Sequence, residues 1–533
     1  MALCALFAYR NEMRILRGFA VSIALLVAIA FTALFFIDEP LRAFIEGQLN
    51  AYVKGYSFRI GKAHLYPNLS LEILDATMYQ TAHPDPPVAH LPRWHFSVQW
   101  RHLLTGHIVS DYLIERPVLH ITLPQAAKEV KDPVPVKEKG WRDAVYSFYP
   151  IKINEFKITD AEGTYVDQDP SRPLVFHHFN FRVGNIRNIH YRNDAYPSDL
   201  HLDGILFKSG KVVANGHANF LAEPHMGVDA DIKLDHVELD HLLPVTSRYN
   251  VQLRHGLLSG DGHIEYAADS TTVANLKRVT IEGARVDYVH AVVTAAAEQE
   301  VKEKTVETAK ELGNHPQTLI RVDHAVIKNS EFGFVNEAAV PTYRVYLTGA
   351  HLELANISNQ FTEGTGTVKI KGKFMGSGDT LVSGTFRPEQ KSPDFDLNVK
   401  IEQAQMRSMN ELLRAYGNFD VVQGEFSFYS ELSVKDGTVH GYMKPLFKDI
   451  KAYDKRQDKE KSTFRKLYEG LIDTVAKLLE NQPRAEVATK VTVSGPADNP
   501  KTDTWETLVR LFENAFFKAI LPGFDRQLEA SKS

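Results

Sequence analysis

The chain holds 22 histidines and 66 acidic residues, and these are the groups that could bind a metal or move a proton. His177 and His178 are adjacent in a stretch that alternates like a strand, so their side chains point to opposite faces and cannot share an ion. His236 and His241 flank "VELD" beside Asp235 and Asp240, a spacing that lets a loop gather nitrogen and carboxylate ligands. A solvated loop accounts for the same residues and is the preferred reading. "GSGD" at 376–379 has the glycines of a phosphate-binding loop but neither the lysine nor the following helix. No H-E-x-x-H, G-x-S-x-G or Walker loop occurs. The reading is therefore no catalytic residue, no cofactor, no metal and no enzyme.

Without chemistry to position, the elements themselves carry the information. A chain of 533 residues exceeds one ordinary core of roughly 100–200 residues, so several domains or a repeat array are expected. The formal charge is −5, and no Lys/Arg face with interleaved aromatics appears, which argues against a nucleic-acid partner. Residues 18–37, "GFAVSIALLVAIAFTALFFI", form an uncharged run long enough to cross a ~30 Å hydrocarbon core. Arg10, Arg14 and Arg17 precede it; Asp38 and Glu39 follow. The positive-inside rule puts the N-terminus in the cytoplasm and the bulk on the far side. The run exceeds a cleaved signal's apolar core and lacks a clean A-x-A site, so an uncleaved signal anchor is expected. Cys4, the only cysteine, precedes that anchor and drops out if Met13 is the start, so the exported part is held by burial rather than by disulfides.

Period two dominates the rest. Val228, Ala230, Ile232 and Leu234 alternate with polar residues, as do Phe395, Leu397, Val399 and Ile401. Val368, Ile370 and Phe374 continue the pattern around Gly372. Strict alternation puts all these side chains on one face of a sheet, and they are expected to form one apolar groove wall. Asp436-Gly437 between two such runs signals a hairpin. Helical spacing appears at 40–53, 298–312 (a charged, solvated helix), 464–479 and 505–521. The Pro- and Lys-rich stretch from 124 reads as a linker.

The chain also repeats itself. "RVGNIRN" (182–188) is echoed by "ELANISN" (353–359). Four further blocks keep the same order: 151–158 with 320–327, 210–218 with 366–374, 228–234 with 395–401, and 255–262 with 423–430. That is an internal duplication. Asn185 and Asn356, like Asn188 and Asn359, are expected to be turn residues at matching strand ends, because asparagine tolerates left-handed backbone.

The runs "SFRIGKAHLYPNLSLEILDATMY" (57–79) and "FSVQWRHLLTGHIVSDYLIERPVLHITL" (96–123), directly after an anchor, resemble the opening of AsmA-like proteins of diderm bacteria. "INEFKITDAEGTYVDQ", "NIRN" and "VELDHLLP" resemble one branch of that superfamily, and "VTVSGPADNP" (491–500) resembles its closing strand and turn. The resemblance covers nearly the whole chain and implies a single-pass inner-membrane anchor, a periplasmic β-groove, and a role in lipid movement or outer-membrane homeostasis. The expected fold is mainly β: a transmembrane helix, then a long antiparallel meander with an internal duplication, then amphipathic helices. The expected divisions are 1–17 tail, 18–37 anchor, 38–123 N-terminal segment, 124–145 linker, 146–270 first repeat, 271–319 connector, 320–445 second repeat and 446–533 C-terminal helices with a last strand. Expected partners are phospholipid or another acyl-chain lipid, the inner membrane, and an envelope protein at the C-terminal helices. A periplasmic scaffold or regulator is the alternative function, and an envelope hydrolase ranks below it.

Overall fold

The computed structural model describes residues 37–98, 109–130, 140, 152–186, 196–220, 227–266, 272–291, 318–358, 364–387, 394–417, 420–435, 438–453, 486–488 and 491–496. The run 18–36, the charged helix at 298–312, the helices at 464–479 and 505–521, Asn188 and Asn359 lie outside the described residues. The fold is mainly β, in two compact units: up to Lys208 with Val213–Ala222, and Ser209–Val212 with Glu223 onward. That division falls inside the first sequence repeat.

The first unit opens on α1 (Asp38–Tyr52), with Pro40 in its first turn, where a missing N–H costs nothing. Leu41, Ile45 and Leu49, spaced by four, lay one face of α1 on the sheet. The strands are β1 (Tyr56–Arg59), β2 (Lys62–Leu65), β3 (Leu71–Gln80), β4 (Ala89–Val98), β5 (Val109–Glu115), β6 (Val118–Thr122), β7 (Lys152–Val166), β8 (Leu174–Gly184), β9 (Ser198–Leu206) and β10 (Gly210–Asn219), with α2 (Leu123–Val130) after β6. Both β1 and β2 pair with β3, and β3–β4–β5 is an antiparallel meander. Then β5 and β6, separated at Arg116 (φ 51), run parallel to successive halves of β7. β7, β8 and β9 are antiparallel.

The second unit repeats this plan. Its strands are β11 (Gly227–Glu238), β12 (Val251–Arg254), β13 (Leu257–Tyr266), β14 (Thr272–Glu282), β15 (Arg285–His290), β16 (Thr318–Asn336), β17 (Tyr343–Ser358), β18 (Gly366–Phe374), β19 (Gly378–Phe386), β20 (Phe395–Gln405), β21 (Asp420–Lys435), β22 (Thr438–Tyr453), β23 (Glu486–Ala488) and β24 (Val491–Pro496). Here β14 and β15, separated at Gly283 (φ 70), run parallel to successive halves of β16. From β16 to β22 each strand pairs antiparallel with the next. Lys435 pairs with Thr438; Asp436-Gly437, read as a hairpin turn, lies outside the described residues. Short helical turns, including α3 (Leu243–Thr246), follow β11, and α4 (Asn410–Gly417) follows the 3-10 turn after β20.

Two expectations change. The meander is mixed rather than wholly antiparallel: four pairings, β5 and β6 on β7 and β14 and β15 on β16, are parallel. Parallel neighbours need a crossover of a dozen or more residues. The linker begins as α2, and the connector begins as β14 and β15. The second change concerns one repeat block. By strand order β10 corresponds to β19, not β18. The matching hairpins place Gly204 with Gly372 and Gly210 with Gly378, each pair 168 residues apart. Phe207 and Met375, in the two turns, share positive φ (59 and 50). Asn185 and Asn356 do too (56 and 53), at the ends of β8 and β17, in the left-handed conformation expected of them.

Two glycines give a paired stability prediction. A Cβ on Gly163 would lie 1.8 Å from the Phe176 ring that covers it across the β7–β8 pair. Gly163→Ala therefore forces the ring aside and is expected to cost about 1–3 kcal/mol. Gly47, inside α1, has nothing within 4 Å of an added Cβ. Gly47→Ala is expected to stabilise by about 1 kcal/mol through helix propensity. Urea denaturation of both variants checks the two opposite signs.

Candidate functional site

Residues paired directly across neighbouring strands share a face, so the registers trace which side chains stand together. In the second unit one row runs Leu234–Gly260–Val279–Ala325–Leu354 and continues Val368–Gly384–Leu397–Leu432. The row beside it runs Val237–Leu258–Ile281–Ile327–Leu352 and continues Ile370–Val382–Val399–Ser430. Each crosses nine strands, and Ser430 is the one hydrophilic side chain in the pair of rows. Leu234 and Leu397 thus lie on one face of one sheet. The first unit has a similar row, Ile73–Trp94–Ile114–Ile158–Phe181–Leu202.

Burial separates one end of these rows from the other. Of the eleven residues expected to line the wall, Ala230, Val368, Phe374, Phe395, Leu397, Val399 and Ile401 are buried, while Val228, Ile232, Leu234 and Ile370 are half-buried. Phe395 (0% exposed), Val399 and Ile401 belong to a packed cluster with Met409, Leu412 and Leu413 of the α4 region and with Phe426, Phe428 and Leu432 of β21. This part of the expected wall is core. The cluster includes Leu412 and Leu413 of α4, a segment the alternation did not reveal, which lies against β17 and β21. From β11 to β17 the row residues, Leu234 through Leu354, are half-buried instead. The first unit behaves alike: Ile73 and Phe96 are fully buried beneath α1, and Ile158, Phe181 and Leu202 are half-buried.

The opposite faces are polar and internally paired. Arg93 bridges Glu72 and Glu115 (2.7 Å to Glu115). Burial pushes the Glu72 carboxyl up, but the Tyr66 hydroxyl and the Arg93 guanidinium outweigh it and hold the group below its usual value. Burial likewise pushes the His95 imidazole down. In the second unit Arg344 reaches both Asp287 and Glu331 at 2.6 Å. Apart from Arg344–Asp287, which spans β16, these are ion pairs between neighbouring strands, with no open nucleophile among them.

The chemistry-bearing motif lands close to where the spacing placed it. Glu238, at the end of β11, and Asp240 and His241, on the turn after it, have ligand atoms within 4.8 Å of one another. His236 is drawn away: its Nδ1 lies 2.6 Å from Asp235. His241 Nε2 is 3.2 Å from Glu238, whose other oxygen accepts from Ser209. His177 and His178 do not converge; His178 is bonded to Asp160. Among the described residues no helix is long and apolar enough to cross a membrane. No protein-family model matches the chain, and no curated protein matches it significantly.

Proposed function

We propose that this is a membrane-anchored, AsmA-like envelope protein whose β-sheets hold lipid acyl chains on their apolar faces. The observation that carries the reading is the pair of apolar rows in the second unit, buried in one cluster with α4 residues at the β20–β21 end and, Val237 apart, half-buried from β11 to β17. A sheet with one apolar face must cover it, and α4 reaches only part of its width. Acyl chains suit the remainder, since each buried methylene contributes about 0.8 kcal/mol without any directional contact. On this reading the duplication lengthens an apolar surface rather than doubling a reaction. The full chain, extracted gently from cells, is expected to carry phospholipid or fatty acid when its organic extract is analysed by mass spectrometry. An extract with no more lipid than an unrelated anchored protein refutes the proposal.

The scaffold alternative takes support from the packed cluster around Phe395–Ile401, which is ordinary core. It predicts a lipid-free protein. The anchored topology has its own test. A reporter enzyme active only outside the cytoplasm, fused after Ser533, is expected to be active, because Arg10, Arg14 and Arg17 precede the apolar run and Asp38 and Glu39 follow it. Activity of a cytoplasm-only reporter at the same site would reverse the compartment.

A further inference from the structure

Helix α1 has three kinds of face, and two are accounted for. Leu41, Ile45 and Leu49 are in the core of the first unit. Arg42, Glu46 and Asn50 are bonded to the neighbouring strands. Asn50 both accepts from Phe58 N (2.7 Å) and donates to Phe58 O; Glu46 accepts from Ile60 N (2.8 Å); Arg42 donates to Ile60 O (3.3 Å). The remaining arc is Ile37, Pro40, Ala43, Phe44, Gly47 and Ala51. All six are exposed and none is charged; Phe44 is 49% exposed and Ile37 38%. Tyr52, 44% exposed, closes the end of the helix. A solvated helix face normally carries charge, so this one is built for another environment.

We propose that this arc lies on the bilayer surface, making α1 an interfacial helix that seats the first unit against the membrane. The occupant follows from where the chain comes from. The 20-residue uncharged run ends at Ile37, and α1 begins at the next residue, so α1 starts at the level of the headgroups wherever that run crosses. Aromatic side chains favour that level, and an exposed apolar face turned toward it gains burial at no cost to the strands behind. A second copy of the chain fits less well: stable interfaces use roughly 20–30 residues a side, and this arc offers six. The proposal rests on reading 18–37 as a membrane anchor.

The test uses the full chain with Cys4→Ser, reconstituted in phosphatidylethanolamine/phosphatidylglycerol vesicles. A polarity-sensitive fluorophore is attached at Phe44→Cys, Ala51→Cys or Lys62→Cys, the last an exposed site on β2. Phe44 and Ala51 are about 10 Å apart along the helix, so a helix lying flat brings both to lipid and an upright one brings at most the first. The expected result is a blue shift and loss of most fluorescence to a headgroup-level lipid quencher at 44 and 51, with little change at 62. A chain that floats with vesicles while 44 and 51 are quenched no more than 62 overturns this inference alone. A chain that does not float removes the anchor, and the inference with it. Self-quenching at 44 that disappears on mixing with unlabelled protein assigns the face to a second copy and also overturns it.

Discussion

Val399→Asp is expected to unfold the second unit at physiological temperature. Val399 is 4% exposed, between Val382 and Ser430 in its row, in the packed cluster that includes Leu412 and Leu413 of α4. An ionised carboxylate there loses hydration without gaining a partner, at a cost of several kcal/mol. The lost packing of the valine adds about 1 kcal/mol or more. Together these approach the 5–15 kcal/mol that holds an ordinary domain folded. The neighbouring Lys400 faces the other side and is exposed, so Lys400→Gln is expected to change stability by no more than about 0.5 kcal/mol. Limited proteolysis followed by urea denaturation distinguishes the two. A folded, lipid-loaded Val399→Asp protein would mean that the packed cluster is itself open to ligand.

Ile232→Asp is expected to do the reverse: the fold survives and the lipid is lost. Ile232 shares the apolar face but is half-buried, opposite Gly262, in the stretch that α4 does not reach. Water can solvate a carboxylate at that position, so the folded protein tolerates it. An acyl chain lying there would be placed against a charge, which costs it several kcal/mol. A loss of about 3 kcal/mol lowers affinity by roughly two orders of magnitude. Native mass spectrometry of parent and variant, alongside their urea midpoints, reads both quantities. Loss of fold together with lipid would make this region core, and the scaffold reading would follow.

The contrast between these substitutions marks where the sequence stops speaking. Alternation assigns Ile232 and Val399 to the same face, and the registers from β11 to β20 connect them. Period two states which way a side chain points; it does not state what lies over it. Val399 shares its buried cluster with Met409, Leu412 and Leu413, in a segment too short to announce itself by helical periodicity. The duplication was legible because left-handed positions such as Asn185 and Asn356 constrain residue type. The block at 210–218 slipped by one strand because any two alternating strands match each other; only the turns at Phe207 and Met375 fix the hairpin. The parallel joints were hidden for a different reason. Partner choice at β14 and β15 is set by a crossover, and nothing in Thr272–His290 names β16 as the neighbour. At the one acid–histidine motif, spacing brought Glu238, Asp240 and His241 close together but could not show that His236 binds Asp235 instead.

On the proposed reading, lipid occupies the half-buried part of the apolar face. Photo-crosslinking in living cells tests it most directly, with a photoreactive amino acid placed at Ile232 or, one residue on, at Lys233. Adjacent strand residues point to opposite faces, so the pair differs in face and in little else. A lipid adduct is expected at Ile232 and none at Lys233. Equal labelling at both positions, or none at either in a protein shown to be folded, would contradict it.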